Sequence, residues 1–313
     1  MKKIIVLLLG ALMVLGVLSG CDKKNDNDNK LKVVTTTFPI YDWVKEILKD
    51  EDVDVSLLQD NGVDLHSYEP TVDDIAKINN ADIFMYVGGE SDEWVESVLE
   101  SNKNVRVVNL LEVLGDSVKL EEDLEGVEHD HEHDHEDEEE YDEHVWLSLR
   151  NAKKCVEAIK DVLCELDPTN MDRYKKNAEE YIEKLELLNQ KYMEVVSNSK
   201  NNTLIFGDRF PFRYLVDDYN LNYYAAFVGC STESEASFNT ITFLAKKLDE
   251  LKLTSILTIE GNNHKIAETI IKNTENKNQE ILILNSMQGS ILEGDTYLSI
   301  MEKNLEVLKK ALN

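Results

Sequence analysis

Short apolar runs alternate with helical patterns from residue 31 onward. Runs rich in Val, Ile, Thr and aromatic residues are typical of strands, whereas apolar positions that recur every three or four residues indicate amphipathic helices. In the first half of the chain the pattern predicts strands over 32–37, 53–58, 82–87 and 105–110, and helices over 40–48, 72–78 and 94–99. Such a βα series predicts a parallel sheet with helices on both faces.

Two helical patterns without an intervening strand follow this first series. They cover 151–166 and 169–197 and are separated by Asp167 and Pro168. The apolar stripe of the second one is formed by Tyr174, Ala178, Tyr181, Leu185, Leu188 and Tyr192. A helix of about 28 residues that rises about 1.5 Å per residue would be about 42 Å long. Because that is longer than one lobe needs, we interpret it as a strut between two lobes.

The βα alternation then resumes in the second half of the chain. Strands are predicted over 203–206, 221–227, 255–259 and 280–284, and helices over 211–219, 238–251, 266–273 and 297–312. We therefore predict an α/β fold of two βα lobes with parallel sheets, joined by a long connecting α-helix. The predicted boundaries are 31–166 for the first lobe, 167–199 for the connecting helix and 200–313 for the second lobe.

The first thirty residues carry an export pattern and take no part in the predicted fold. Lys2 and Lys3 precede an apolar run from Ile4 to Leu18, which is short for a membrane span of roughly twenty residues. The run closes at Leu-Ser-Gly-Cys and resembles the bacterial lipobox, which implies a signal peptide over 1–20 and lipidation of Cys21. An uncleaved signal anchor is the alternative. Residues 21–30 are polar and are interpreted as a flexible tether.

The charge of the chain narrows the possible partners. A formal net charge of −29 repels nucleic acids and attracts cations. Much of this charge lies in the segment 121–143, which holds fifteen acidic residues and four histidines and no basic residue. We interpret this segment as a solvated loop, because no core can be built from it. Its histidines are His129, His131, His133 and His135.

Three cysteines remain in the predicted lobes. Cys155 and Cys164 lie nine residues apart in one predicted helix, which is too far for a disulfide. No Cys-x-x-Cys motif is present. We interpret these two cysteines and Cys230 as small core residues rather than as metal ligands.

Two histidines lie in polar segments that are typical of ligand sites. His66 follows a predicted strand, at the edge of the sheet where open α/β folds bind ligands. His144 stands where the acidic segment meets a helix, and Asp142 or Glu143 can accept its second ring proton and fix its tautomer. Alternatively, His144 is the last member of a solvated acidic run.

The sequences around both histidines carry a family resemblance. Residues 62–74 read Gly-x-Asp-x-His-x-Tyr-Glu-Pro-Thr-x-x-Asp, and residues 142–148 read Asp-x-His-Val-Trp-Leu-Ser. The pair resembles the zinc and manganese substrate-binding lipoproteins of bacterial ABC importers, as do residues 174–178, 296–298 and 304–305. The resemblance implies two βα lobes bridged by a rigid helix, a metal at the lobe interface, and His66 and His144 as ligands.

The second lobe departs from the family pattern. The family's third ligand, a His or Glu, falls on Arg209, and its fourth, an acidic residue, falls at or near Asn285. Asp208, Glu260 and His264 are the compensating candidates. Glu260 can instead form a salt bridge to Arg209, and His264 can be a surface residue at the start of a helix.

The resemblance also implies a function and a location. The expected function is capture of zinc outside the cytoplasm and delivery to the permease of an ABC importer, by a monomer that is lipid-anchored at the outer face of the cytoplasmic membrane. A loop with alternating histidines resembles that of the zinc-specific branch and is expected to bind Zn²⁺ weakly; a plain acidic spacer is the alternative.

Three other functions stay open at this stage. Manganese binding needs more carboxylates than the motifs supply, although Asp208 and Glu260 keep it possible. A metal-dependent hydrolase lacks support, because no His-Glu-x-x-His or Gly-x-Ser-x-Gly motif is present. We therefore expect no enzymatic activity. No residue argues specifically for an adhesin.

Overall fold

Two four-stranded parallel sheets form the frame of the protein. In the first sheet the strand order is β2-β1-β3-β4, with β1 at Lys32–Thr35, β2 at Asp54–Leu57, β3 at Ile83–Tyr86 and β4 at Arg106–Asn109. In the second sheet the order is β6-β5-β7-β8, with β5 at Thr203–Phe210, β6 at Asn222–Val228, β7 at Ser255–Thr258 and β8 at Glu280–Ile283. All pairs of neighbouring strands are parallel, which confirms the predicted α/β fold.

Ten α-helices connect or flank these strands in the part of the chain that the structure describes. Those of the first lobe are α1 at Phe38–Leu48, α2 at Val72–Asn79, α3 at Trp94–Ser101, α4 at Leu110–Leu114 and α5 at Leu149–Leu166. The long α6 at Met171–Ser197 follows, and then α7 at Arg213–Asp218, α8 at Phe238–Leu251, α9 at Lys265–Asn273 and α10 at Tyr297–Ala311.

This computed structural model describes residues 30–49, 51–60, 62, 64–127, 140–231, 235–261, 263–289 and 291–313. The predicted signal peptide, the lipidation of Cys21 and most of the tether lie outside these residues. So do the loop histidines His129, His131, His133 and His135. Among the described helices, none has the length and apolar character needed to cross a membrane.

Two elements differ from the prediction for physical reasons. β5 continues to Phe210 because its pairing with β6 resumes after a register shift between Phe206 and Arg209. The polar residues of this irregular stretch hide the continuation from an apolar pattern. The short α4 was missed because five residues are too few for a helical period, although the Asn109 side chain caps it by accepting from the Glu112 N–H.

The connecting helix α6 contacts both lobes, as predicted. Near its start, Asn177 donates through Nδ2 to the Ile47 carbonyl of α1 at 2.9 Å. Near its end, the Tyr192 hydroxyl donates to the Met301 carbonyl of α10 at 2.6 Å. Both side chains are buried, so each bond is protected from competing water. Helix α6 therefore fixes the spacing of the lobes.

A second set of buried bonds ties α10 of the second lobe to the first lobe. The Asp42 carboxylate of α1 accepts from the Tyr297 N–H at 3.0 Å, which satisfies an otherwise free donor in the first turn of α10. The Tyr297 hydroxyl donates to the Trp146 carbonyl at 2.6 Å, and its ring packs edge-on against Trp43. The lobes are therefore joined by more than one helix.

The flanks of the acidic segment are largely exposed but contact the second lobe at a few points. Leu120 and Tyr141 form an antiparallel bridge, and Leu124 is buried. The Glu121 carboxylate accepts from the Cys230 N–H at 3.0 Å, and Glu122 accepts from a tyrosine hydroxyl of β6. The flanks keep exposed acidic side chains, as a solvated loop does, but the buried leucine and the paired carboxylates also anchor them to the second lobe.

The buried Asp42 generates a prediction for stability. Burial raises the pKa of Asp42 to about 6, because the charged carboxylate is poorly solvated, although the Tyr297 N–H partly offsets this effect. Between about pH 4 and pH 6 the folded protein therefore binds more protons than the unfolded chain, and its stability falls as the pH rises through this window.

We expect Asp42→Asn to stabilise the protein above pH 6, because Asn keeps an acceptor for Tyr297 without a charge. The expected gain at pH 7.5 is about 1 to 3 kcal/mol and shrinks toward pH 4. Urea unfolding at several pH values measures it. Asp116→Asn, at an exposed position, is the control and should change little. A gain that is equally large at pH 4 would contradict this explanation.

Candidate metal centre

His66 is held by a capped turn at the carboxyl end of β2. Residues Leu65–Ser67 form a 3₁₀ turn in which the Asp64 side chain accepts from the His66 N–H at 3.1 Å. The buried Leu65 anchors the turn to the first lobe. His66 Nδ1 lies 2.8 Å from the Ser91 hydroxyl, so the opposite ring nitrogen, Nε2, faces the cleft between the lobes.

His144 is oriented by the carboxylate of Asp142. The Asp142 side chain accepts from the His144 N–H at 2.8 Å and lies 3.0 Å from His144 Nδ1. When Nδ1 donates to this carboxylate, Nε2 carries a free lone pair, which is the arrangement of a metal-binding imidazole. The His144 side chain is 0% exposed, so the acidic run does not end in a solvated histidine.

The two imidazoles meet at the cleft. The distance from His66 Nε2 to His144 Nε2 is 3.2 Å, and the ring centroids are 5.2 Å apart. Burial and the neighbouring His144 lower the pKa of His66 to about 4. The His66 ring is therefore neutral at physiological pH, which is the state that binds a metal ion.

Gln288 reaches the same point from the second lobe. It lies in the loop after β8, and its Nε2 is 2.8 Å from His144 Nε2 and 3.2 Å from His66 Nε2. Its side chain is 7% exposed, and Oε1 has no hydrogen-bond partner among the described residues. The amide of Gln288 is therefore buried against both imidazoles, and its acceptor oxygen is unused.

Cys230 completes a cluster of side chains that can bind a metal. In the described part of the chain, one group of His, Cys, Asp and Glu has its ligand atoms close together, namely His66, His144 and Cys230, within 4.8 Å of one another. Cys230 follows β6 and is partly exposed, so it does not lie in a core as expected. The other two cysteines are buried and unpaired, as predicted.

Gly229 allows the close approach of the Cys230 loop to His144. A Cβ atom at this position would lie 2.9 Å from the Phe210 carbonyl oxygen and 3.2 Å from His144 Cε1. The first of these distances requires the backbone to shift. Only glycine therefore lets the loop after β6 pass this close to the imidazole.

The three candidate ligands predicted in the second lobe lie outside this cluster. Asp208 accepts from the Arg209 and Ile259 N–H groups. Glu260 accepts from a hydroxyl and three N–H groups of residues 286–289, and His264 is the N-cap residue of α9. Their role as metal ligands stays a prediction, and the geometry favours other donors.

Glu260 organises the loop that carries Gln288. Its two carboxylate oxygens accept from the Ser286 N–H at 2.6 Å, the Ser286 hydroxyl at 2.8 Å, the Gln288 N–H at 3.0 Å and the Gly289 N–H at 3.1 Å. Bonds to a charged acceptor are among the stronger ones in proteins. Glu260 is therefore placed to position Gln288 at the imidazoles.

Arg209 forms its ion pair across the cleft rather than with Glu260. Its Nη2 is 2.5 Å from Oδ2 of Asp64, the residue that caps the His66 turn. Burial alone would raise the pKa of Asp64, but the hydrogen bond and positive charge of Arg209 outweigh it and lower the pKa. The residue at the family's third ligand position therefore supports His66 indirectly.

Cys230 and Gln288 lie at this cluster, although neither was predicted from the sequence as a candidate ligand. Both follow the carboxyl ends of parallel strands, β6 and β8, where ligands bind in open α/β sheets. This position was a usable signal for Cys230. For Gln288 the same position was a weaker signal, because a single glutamine in a loop is common and the turn that directs it inward depends on Glu260.

Two βα lobes bridged by a long helix, with paired imidazoles in the cleft between them, define a metal-binding protein of the two-lobed binding-protein type. A sequence model of the family described as zinc-uptake complex component A periplasmic, ZnuA, matches residues 33–311. The chain belongs to this family. The resemblance found in the two histidine motifs is therefore confirmed.

Relatives and a solved structure agree with this placement. The chain is 35% identical to the high-affinity zinc uptake system protein ZnuA of Bacillus subtilis, over 93% of this chain and 89% of that protein. It is 34% identical to the zinc-binding lipoprotein AdcA of Streptococcus pneumoniae, over 99% of this chain and 61% of AdcA. The chain thus spans under two thirds of AdcA.

The structural comparison covers nearly the whole described fold. The crystal structure of the Zn(II)-bound ZnuA-like domain of Streptococcus pneumoniae AdcA aligns with a TM-score of 0.70 and 32% identity. The alignment covers 91% of this chain and 99% of that domain. The two-lobed architecture is therefore shared with a domain of known structure.

Glu260 can position the loop at residues 286–289 or bind the metal, and a substitution distinguishes these two roles. Because Glu260→Ala leaves several buried donors without an acceptor, we expect the metal-free protein to lose about 1 to 3 kcal/mol of stability. Urea unfolding in EDTA measures this loss. Glu268→Ala, on the exposed face of α9, is the matched control and should change stability by no more than about 0.5 kcal/mol. Unchanged metal-free stability with lost zinc binding would instead make Glu260 a ligand.

Proposed function

We propose that the protein captures Zn²⁺ outside the cytoplasm and delivers it to the permease of an ABC importer. The observation that carries this proposal is the buried pair of imidazole Nε2 atoms, 3.2 Å apart in the cleft between the lobes. Two ligands bound to one Zn²⁺ at about 2.0–2.1 Å in tetrahedral geometry are separated by about 3.4 Å. The pair is thus spaced for a shared ion.

The choice of zinc rests on the chemistry of the cluster. Imidazole and thiol donors suit Zn²⁺, whereas Mn²⁺ prefers carboxylate and carbonyl oxygens. In the described part of the chain, the cluster around His66 and His144 contains a cysteine and no carboxylate ligand. The names of the ZnuA and AdcA relatives support the same ion.

The family supports transport rather than catalysis. Its description is that of a component of a zinc-uptake complex, and such components work with a permease. A catalytic zinc needs an open coordination position and a nearby general base. Glu260, a carboxylate that could be imagined as such a base, instead accepts hydrogen bonds from residues 286–289. The protein is therefore proposed to bind and release metal without chemical turnover.

The proposed location follows from the export pattern and the relatives. AdcA is named a lipoprotein, and the chain begins with an apolar run that ends at Cys21. We assign the protein to the outer face of the cytoplasmic membrane, held there by a lipid on Cys21, and acting as a monomer. The strongly negative charge fits a cation-binding surface and disfavours nucleic acid.

Removal of either imidazole should abolish high-affinity zinc binding. We expect His66→Ala and His144→Ala to weaken binding by more than the ~10–100-fold that loss of an outer hydrogen-bond partner produces. Isothermal titration with Zn²⁺ measures the change. His264→Ala is the matched control and should bind like the parent protein. Retained binding in both cleft variants, with loss in His264→Ala, would overturn the proposed site.

A competition experiment tests the choice of ion. We expect bound Zn²⁺ to stay in place when Mn²⁺ is added at about 1,000 times the Zn²⁺ concentration. The reason is that affinity rises strongly from Mn²⁺ to Zn²⁺ at nitrogen and sulfur donors. Metal content after equilibrium dialysis is the readout. Displacement at comparable concentrations would favour the manganese-binding counterpart.

A further inference from the structure

We infer that Cys230 is the third protein ligand of the proposed zinc site and that Gln288 supplies the fourth donor, so that the second lobe closes the site with sulfur and amide oxygen. This inference rests on the proposed function and deepens it. It assigns the donors of the lobe in which Arg209 and Asn285 replace the ligands expected from the family resemblance.

The positions of the donor atoms support a single site. The ligand atoms of His66, His144 and Cys230 lie within 4.8 Å of one another, and the two imidazole nitrogens already have the separation of ligands on one ion. A thiolate binds Zn²⁺ at about 2.3 Å, so its sulfur lies about 3.5 Å from each nitrogen in a tetrahedral site. Cys230 Sγ therefore needs to move by no more than about 1.3 Å.

The backbone around Cys230 is held close to the imidazoles. The Cys230 N–H donates to Glu121 Oε1 at 3.0 Å, and this glutamate belongs to the anchored flank of the acidic segment. On the other side, Gly229 packs against the His144 ring. The backbone of Cys230 is thus held at the cleft on both sides, and a rotation about χ1 is sufficient to change the distance of the thiol from the ion.

Gln288 is the independent sign of a ligand at this point. It is more than nine-tenths buried, yet Oε1 has no hydrogen-bond partner within the described residues. Its Nε2 instead lies 2.8 Å and 3.2 Å from the two imidazole nitrogens. A half-turn of the amide places the oxygen, which has two lone pairs, at the same position. The oxygen can then bind an ion shared with both imidazoles.

The resulting donor set is two nitrogens, one sulfur and one oxygen. Soft thiolate donors favour zinc and disfavour manganese, whose sites are rich in oxygen. When Zn²⁺ binds, the Zn–S bond replaces the S–H bond and the thiol proton passes to solvent. Cys230 is therefore the residue that we expect to set the preference for Zn²⁺ over Mn²⁺.

Cobalt substitution tests the sulfur ligand directly. The Co²⁺-loaded protein should show a near-ultraviolet sulfur-to-cobalt charge-transfer absorption, and Cys230→Ser should lose it. We also expect Cys230→Ser to weaken Zn²⁺ binding by roughly 100-fold or more, beyond the range of outer hydrogen-bond partners, while the affinity for Mn²⁺ changes less than tenfold. The Zn²⁺ to Mn²⁺ preference should therefore narrow.

Cys164→Ser is the matched control. Cys164 is buried near the end of α5, the end remote from His144, and its thiol faces the Met171 carbonyl, which a serine hydroxyl can also contact. This variant should keep both the cobalt spectrum and the zinc affinity. A loss in both serine variants would reflect general destabilisation and would overturn the assignment of sulfur to the site.

Alkylation of the parent protein tests the same ligand without a substitution. Iodoacetamide should modify Cys230 slowly in the metal-free protein, because burial and the neighbouring Glu121 raise the pKa of its thiol. One equivalent of Zn²⁺ should slow the modification further, as read over time by peptide mass spectrometry. Equal modification with and without Zn²⁺, together with a cobalt spectrum that lacks the sulfur band, would overturn the inference. His66 and His144 would then still bind zinc, whereas failure of the parent protein to bind zinc would overturn the proposed function itself.

Discussion

A buried chain of hydrogen bonds through Trp146 joins the first-lobe and second-lobe segments of the candidate metal centre. The Trp146 indole donates to the Ser286 carbonyl at 2.9 Å, and the Trp146 carbonyl accepts from the Tyr297 hydroxyl at 2.6 Å. Trp146 lies two residues after His144, and Ser286 lies two residues before Gln288. The segments that carry the histidine of one lobe and the amide of the other are therefore joined through one residue, in an interior where unpaired polar groups are costly.

This linkage limits how the protein can take up a metal ion. The connecting helix α6 contacts α1 and α10 by buried hydrogen bonds, and α10 is bonded to Asp42 of the first lobe. A large rotation of the lobes would break these bonds. The changes that the proposed donor set needs are small by comparison, namely an amide rotation at Gln288 and a side-chain shift at Cys230. The proposed uptake of zinc would then need only local rearrangement within a stiff frame.

The fold was largely readable from the sequence because each element carries its own period. The βα alternation, the long stripe of α6 and the two histidine motifs all depend on local spacing, and each is found where it was predicted. The extension of β5 and the docking of the acidic flanks depend instead on pairing with distant residues. Leu124, for example, is one apolar residue in an acidic run, and its burial against the second lobe has no local signature.

Only the first-lobe residues of the candidate site could be predicted from the sequence, because only they depend on local spacing. His66 and His144 each come with a carboxylate two residues earlier, Asp64 or Asp142, that caps or orients it, so motif and geometry coincide. In the second lobe the donors are placed by partners far along the chain. Glu260 directs Gln288, and Glu121 holds Cys230. From the sequence, Glu260 is a candidate metal ligand or a salt-bridge partner of Arg209, whereas its contacts with residues 286–289 depend on a loop far along the chain.

A crystal structure of the zinc-loaded protein with anomalous scattering at the zinc edge tests the central claim most directly. The account predicts one strong peak in the cleft between the lobes, about 2.0–2.1 Å from Nε2 of both His66 and His144. A zinc ion coordinated elsewhere, for example by Asp208 and His264 without the two imidazoles, would contradict it.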